Sequence, residues 1–168
     1  MTVRAPLSDE LPVLQAIAVA AGRRFAEVGL DDVAADPPPE LADLERRRKA
    51  GRAWVTTDRD GHPVGFVLVD LVDGAAHVEE ISVLPDVGGR GHGMALMRHV
   101  EKWARGKGFP AVTLTTFSEV PWNRPWYERR GYRVLAEDEW TPGLVARREE
   151  EAAHGLDPDQ RVIMAKDL

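Results

Sequence analysis

No cysteine occurs anywhere in the 168 residues. Disulfides, thiolate nucleophiles and cysteine-ligated zinc are thereby excluded, and the chain suits a reducing compartment. Long apolar runs are missing too. The longest, Ala16–Ala21, is far short of the roughly 20 residues that span a bilayer. The opening MTVRAPLSDELP has no apolar segment of the signal-peptide kind. A cytoplasmic location away from membranes is the expectation. Excess positive charge is also absent: 22 Lys and Arg against 28 Asp and Glu leave a net charge of −6. That balance opposes non-specific binding to nucleic acid. No internal repeat stands out, and DPPPE is the one low-complexity patch. What is present, 43% hydrophobic and 30% charged residues, is ordinary for a globular chain whose length points to a single domain over 1–168.

Periodicity then sets the elements. Leu11, Leu14, Ile17, Ala18 and Ala21 recur at helical spacing behind the capping candidates Ser8 and Asp9, in a helix ending before Gly29. An acidic loop, 29–39, closes on three prolines, and PELADLERRRKAG reads as a second helix stopping at Gly51. The period changes to that of strands in RAWVTT, HPVGFVLVDLV and AAHVEEISV, separated by Asp60-Gly61 and Asp73-Gly74, which predicts an antiparallel meander. Met94, Met97, Val100, Trp103 and Ala104 mark the next helix, ended by Gly106 and Gly108. AVTLTTF follows as a strand parallel to 75–83 through a right-handed crossover. PWNRPWYERRG predicts a short helix, YRVL and RVIMAK two more strands, and 144–153 a helix between them.

Between the 75–83 strand and its helix lies VGGRGHG, with four of the chain's 15 glycines at positions 88–93. A helix start exposes unpaired N–H groups at the positive end of its dipole, and glycines let a phosphate approach them. A tight turn with a purely steric use of glycine is the alternative. A P-loop is excluded, because Gly93 is followed by Met94 and Ala95 rather than Lys-Ser/Thr. A dinucleotide fingerprint is excluded because Met94 stands where the third glycine belongs and the preceding strands are hairpins.

Gly89-Arg90-Gly91-His92-Gly93, the preceding Val83-Leu84-Pro85, and the later WYERRGY together resemble the coenzyme A motifs of the GNAT N-acetyltransferase superfamily. The segment order is similar over most of the chain. The resemblance implies an α/β fold: a mixed, mostly antiparallel sheet of about seven strands flanked by helices, with a splayed parallel pair. It implies transfer of an acetyl group from acetyl-CoA to a primary amine, small or peptide-borne, by direct attack in a ternary complex, in a monomer or homodimer. Carried over by position, backbone groups of Gly88, Gly89, Arg90, Gly91, His92, Gly93 and Met94 would hold the pyrophosphate, and the Val83 amide the thioester carbonyl and pantetheine arm. Tyr127 matches the tyrosine that protonates the leaving thiolate; a phenol stays protonated near neutrality. Two positions depart from the pattern: Gly88 replaces an Arg or Gln, and Val120 replaces an Asn. Asn123 lies nearby and is also a candidate N-cap for the helix after it.

A base for the amine is sought on the 75–83 strand. Side-chain alternation puts Val83, Ile81, Glu79 and His77 on one face and Glu80 on the other. Glu79 and His77 occupy the places of the family's base; a solvated sheet face is the alternative for each, many members of the family need no strong base, and a shifted register would bring in Glu80. His62, His92, His99 and His154 are scattered, and no spacing points to a metal. ERRRKAGR reads as a solvated basic face. The acidic loop, with Asp31, Asp32, Asp36 and Glu40, would border the acceptor site or simply be solvated, and Trp122, Trp126 and Trp140 would wall an acceptor pocket or fill core. Two alternative functions stay open: an acyl-CoA-binding regulatory module without turnover, and a nucleotide-binding protein using the same turn.

Overall fold

The computed structural model describes all of residues 1–168. Leu11, Leu14 and Ile17 form the buried stripe of α1 (Leu11–Gly22), with a proline in the first turn, where a missing N–H costs nothing. Ser8 and Asp9 do not cap it. Ser8–Glu10 is a 3-10 turn in which the Glu10 carboxylate accepts the Leu7 N–H (2.8 Å) and pairs with Arg4 (2.7 Å). Beyond Gly22 the helix tightens into a 3-10 stretch, Arg23–Val28, stopped by Gly29 at φ 78°. The expected acidic loop contains a short helix, α2 (Asp31–Ala34); Asp31 and Asp32 occupy its first turn, where the helix dipole favours negative charge. α3 (Leu41–Lys49) follows the prolines and ends before Gly51 at φ 69°.

There are seven strands: β1 (Val3–Arg4), β2 (Ala53–Thr57), β3 (Pro63–Val72), β4 (Ala75–Val83), β5 (Ala111–Phe117), β6 (Arg133–Val134) and β7 (Arg161–Asp167). They form one sheet in the order β1-β2-β3-β4-β5-β7-β6. β4 and β5 are parallel, with a ladder covering only Ala76–Val78 against Val112–Leu114. β5 pairs antiparallel with β7 along its whole length, Ala111↔Asp167 to Phe117↔Arg161, and β7 pairs antiparallel with β6. The remaining helices are α4 (His92–Gly106), α5 (Arg124–Glu128) and α6 (Pro142–Ala153). No helix is long and apolar enough to cross a membrane. The chain divides into two compact units, Met1–Asp70 with Glu79–Lys102, and Leu71–Val78 with Trp103–Leu168.

In the first unit, β2 and β3 are buried almost without interruption rather than alternately. Their register explains it. Ala53↔Leu68 and Val55↔Phe66 point to one face, where they pack with Leu11, Leu14 and Ile17 of α1 and Leu44 of α3. Trp54↔Val67 and Thr56↔Gly65 point to the other, where the Trp54 ring meets His99 of α4 at 5.0 Å. A strand covered on both faces has no reason to alternate. The basic run on α3 is not entirely solvated, contrary to expectation: Arg47 is buried and makes a bidentate pair with Asp70 of β3 (2.9 and 3.0 Å). A guanidinium is tolerated there because its fork matches the carboxylate and leaves neither charge unpaired.

In the second unit, Val72, Leu135, Leu144, Ile163 and Ala165 form a small core with Trp140 packed against it. The Asp73-Gly74 turn between β3 and β4 has φ of 49° and 78°, the left-handed pair of a type I′ hairpin. Its Asp73 carboxylate also accepts the Gly143 N–H (2.6 Å) in the first turn of α6. The other meander turn is longer than a two-residue Asp-Gly hairpin. It runs through Asp58–His62, with Gly61 at φ 85° and the Asp58 carboxylate accepting the Asp60 and His62 amides (both 2.9 Å).

Candidate functional site

The glycine loop begins where β4 ends. The Leu84 N–H donates to the Val64 carbonyl (2.8 Å), and Pro85–Val87 makes one 3-10 turn closed by Gly88 N–H to Pro85 O (3.0 Å). Gly89 and Gly91 then take φ of 75° and 89°, which L residues with a Cβ adopt at a cost. The first helical bond of α4 runs from Ala95 N–H to Gly91 O (2.9 Å), so the amides of Gly91, His92, Gly93 and Met94 have no acceptor within the helix. Gly93, expected just before the helix, lies inside its first turn. An added Cβ at Gly89 would meet nothing within 4 Å. Open, oriented amides at the head of a 15-residue helix are the arrangement that binds anions. Gly88 itself sits at φ −59°, a conformation open to any residue, and a Cβ there would lie 3.1 Å from the Pro85 carbonyl.

The side chains around the loop have distinct parts. Arg90 is exposed. His92 turns inward: its ring is 7% exposed, and Nδ1 lies 2.9 Å from Oγ1 of Thr56, itself fully buried. Burial first, then the positive charges of the N-terminus and Arg90, hold the His92 imidazole below its usual pKa. The ring is therefore a neutral anchor, and what His92 offers a ligand is its backbone N–H. Val83 is seated against β3 at Gly65. A Cβ on Gly65 would fall 3.0 Å from Val83 Cγ2, 3.0 Å from the Ser82 carbonyl and 2.9 Å from Thr56 Cγ2.

The three β4 base candidates differ in setting. The His77 ring is buried and its Nδ1 hydrogen-bonds Thr113 Oγ1 (2.8 Å), its cross-strand partner on β5. Glu79 is exposed. Glu80 is partly buried, and Ser82 Oγ donates to its Oε1 (3.1 Å). Burial pushes the Glu80 carboxyl up to about 7; the Glu79 charge adds to this, and the Ser82 bond and the Arg47 charge oppose it only in part. A carboxyl that titrates near neutrality is equipped to accept a proton from an ammonium-bearing ligand and pass it on. Sequence alternation separated Glu80 from Glu79 but carried no sign of this desolvation.

Tyr127 lies on α5 in the second unit, 7% exposed, edge-on to Trp126 (5.0 Å between centroids) and Tyr132 (5.8 Å). Burial holds its phenol well above the ordinary range, against the pull of the Arg161 and Arg130 charges, so it is a proton carrier at neutral pH. The Arg130 guanidinium stacks 3.6 Å from the Trp126 ring. Asn123 precedes α5 but its side chain makes no cap; Oδ1 accepts the Phe117 N–H at the end of β5 (3.4 Å). Val120, in the place of the family's Asn, is buried. Trp140 packs, partly buried, against the core of this unit, and Trp122 and Trp126 are likewise partly buried.

One group with metal-ligand chemistry gathers in the β2–β3 turn, where atoms of Asp58, Asp60 and His62 lie within 4.8 Å of one another. The Asp58 carboxylate there already caps the turn's amides, and His62 and Asp60 are exposed.

Comparison with known proteins bears on the fold and the family. Over 64 residues the chain is 39% identical to the mycothiol acetyltransferase of Nocardiopsis dassonvillei, covering 33% of this chain and 19% of that protein. The chain thus spans about a fifth of that relative's length. Among solved structures it is similar to the ribosomal-protein-S18-alanine N-acetyltransferase of Escherichia coli, with TM-score 0.68 and 17% identity over 99% of this chain and 92% of the other. It is likewise similar to the PaiA N-acetyltransferase of Thermoplasma acidophilum in complex with coenzyme A (TM-score 0.71, 14% identity, covering 99% and 98%). A GNAT-family acetyltransferase of Staphylococcus aureus Mu50 gives TM-score 0.75 at 13% identity, covering 99% and 98%. At such identities these likenesses establish the fold. The profile of the acetyltransferase (GNAT) family matches residues 18–132, a span that includes the glycine loop, all of α4 and Tyr127, and the chain belongs to that family.

Proposed function

We propose that this chain is an acetyl-CoA-dependent N-acetyltransferase that moves an acetyl group to a primary amine, on a small molecule or a peptide, by direct attack. The observation that carries the reading is the set of open amides from Gly91 to Met94 at the head of α4, behind two glycines in left-handed backbone. Backbone groups from Gly88 to Met94 take the pyrophosphate, and the Val83 amide takes the thioester carbonyl, where it would stabilise developing negative charge. Glu80 is the group we assign to deprotonating the amine, in preference to exposed Glu79 and to His77, whose Nδ1 is engaged by Thr113. Tyr127 returns a proton to the departing thiolate. The bond formed is amine nitrogen to acetyl carbon, the bond broken is carbon to sulfur, and the products are an amide and coenzyme A. No metal enters this scheme.

A regulatory acyl-CoA-binding module without turnover is the second reading. The glycine at 88 and the buried Val120 favour it, since both remove side chains the family directs at the coenzyme. Calorimetry with acetyl-CoA, followed by a broad amine panel monitored for free thiol, separates the two. Binding with thiol release on at least one amine, cut about a hundredfold in Tyr127→Phe at similar acetyl-CoA affinity, is the expected result. Binding without release across the panel selects the module, and equal turnover in Tyr127→Phe removes the role given to that residue.

A further inference from the structure

The phosphate loop has little packing of its own. An added Cβ at Gly89 meets nothing within 4 Å, and at Gly91 only one side-chain methyl at 3.9 Å. With glycines at 88, 89, 91 and 93, its backbone is free to sample conformations in which the amides diverge. Its entry is tied to β3 by the Leu84–Val64 bond, and its exit is the helix. Between the two, the tie that the loop's own side chains supply is the imidazole of His92, sunk into the first unit and bonded to Thr56 at 2.9 Å.

Thr56 is placed to do more than hold one ring. It pairs in register with Gly65, whose missing Cβ lets Thr56 Cγ2 and Val83 Cγ2 close in from either side. One face of β2–β3 thus links the two backbone segments assigned to the coenzyme: Ser82–Val83 through the Gly65 notch, and His92 through the Thr56 hydroxyl. We propose that Thr56 is a positioning residue for the phosphate cradle, fixing the Gly91–Met94 amides through the His92 ring and their setting relative to Val83 through contact at Gly65. Thr56 touches no substrate in this scheme, and the proposal rests on the coenzyme reading above only for what the positioned amides bind.

Thr56→Val keeps the branched shape and β preference and deletes the hydroxyl, leaving the buried His92 nitrogen without that partner. Thr56→Ser restores the hydroxyl and loses the methyl. Calorimetry with coenzyme A on wild type, both variants and His92→Phe is paired with backbone NMR order parameters on the ligand-free proteins. The expected result is a Kd about tenfold higher in Thr56→Val and in His92→Phe, recovery to within about threefold in Thr56→Ser, and order parameters lowered at 88–94 alone in Thr56→Val. Wild-type affinity and wild-type order parameters in Thr56→Val overturn the positioning role while leaving the coenzyme reading intact. A wild type that binds no coenzyme A overturns that reading instead; lowered order parameters at 88–94 in Thr56→Val then still support the role, and unchanged ones end it. Should Thr56→Val fail to fold, His92→Phe decides on the same two readouts.

Discussion

Glu80 shows how one side chain's chemistry depends on depth more than on position along a strand. Its neighbour Glu79 is exposed, while Glu80, one residue on, titrates near 7 because burial disfavours its charge. If Glu80 is the base, kcat/KM should rise with pH to a plateau above about 7, and Glu80→Gln should flatten that limb and lower the plateau about a hundredfold. Stability should move the opposite way. The folded state holds this proton more tightly than the unfolded chain, so Glu80 favours folding below the ordinary glutamate range, and that contribution is lost as pH climbs through about 7. Melting curves at pH 5 and pH 8 should show Glu80→Gln losing less stability across the interval than wild type. Equal losses would mean Glu80 is solvated. Face alternation named Glu80 only as the residue a register shift would bring in. Burial is a property of the folded chain, and so is the Arg47 charge from α3 that opposes the rise; no local pattern encodes either.

Among the elements, the Asp73-Gly74 turn does two jobs, of which the sequence declared one. Asp-Gly between two apolar runs announced a hairpin, and the two left-handed φ values are what such a turn requires. That the same carboxylate accepts an amide at the start of α6, 70 residues later, was invisible. The Thr141 hydroxyl and then the Gly143 amide hold Asp73 below its ordinary pKa. Its contribution to stability is therefore present above the ordinary aspartate range and vanishes as pH falls through the lowered value. Asp73→Ala should melt below wild type at pH 7, with the gap narrowing toward pH 3; a constant gap would assign the loss to the turn instead of the cap. Helix limits show the same division. Gly29, Gly51 and Gly131 stop the chain's helical segments with left-handed φ, as their positions foretold. The helix in the acidic stretch and the 3-10 tightening after Gly22 depend on weaker balances that composition does not resolve.

Across the whole molecule, the residues assigned to the chemistry are spread along the chain from Glu80 to Tyr127. A ligand that binds only the folded chain stabilises it by mass action. At a hundredfold excess over Kd, coenzyme A should add about 2.7 kcal/mol and raise Tm by about 5–10 °C. No shift at millimolar coenzyme A would count against the function proposed here. What the residues by themselves determined was local: which stretches are helix or strand, where turns fall, and the glycine-rich start of α4 that carried the family resemblance. Those features depend on contacts a few residues apart. Tertiary structure alone decided that β7 enters between β5 and β6, that Arg47 is a buried partner of Asp70, that His92 faces inward to Thr56, and that Glu80 is desolvated. Each of these is set by partners tens of residues away, and only the folded chain brings them within hydrogen-bond distance or removes the water between them.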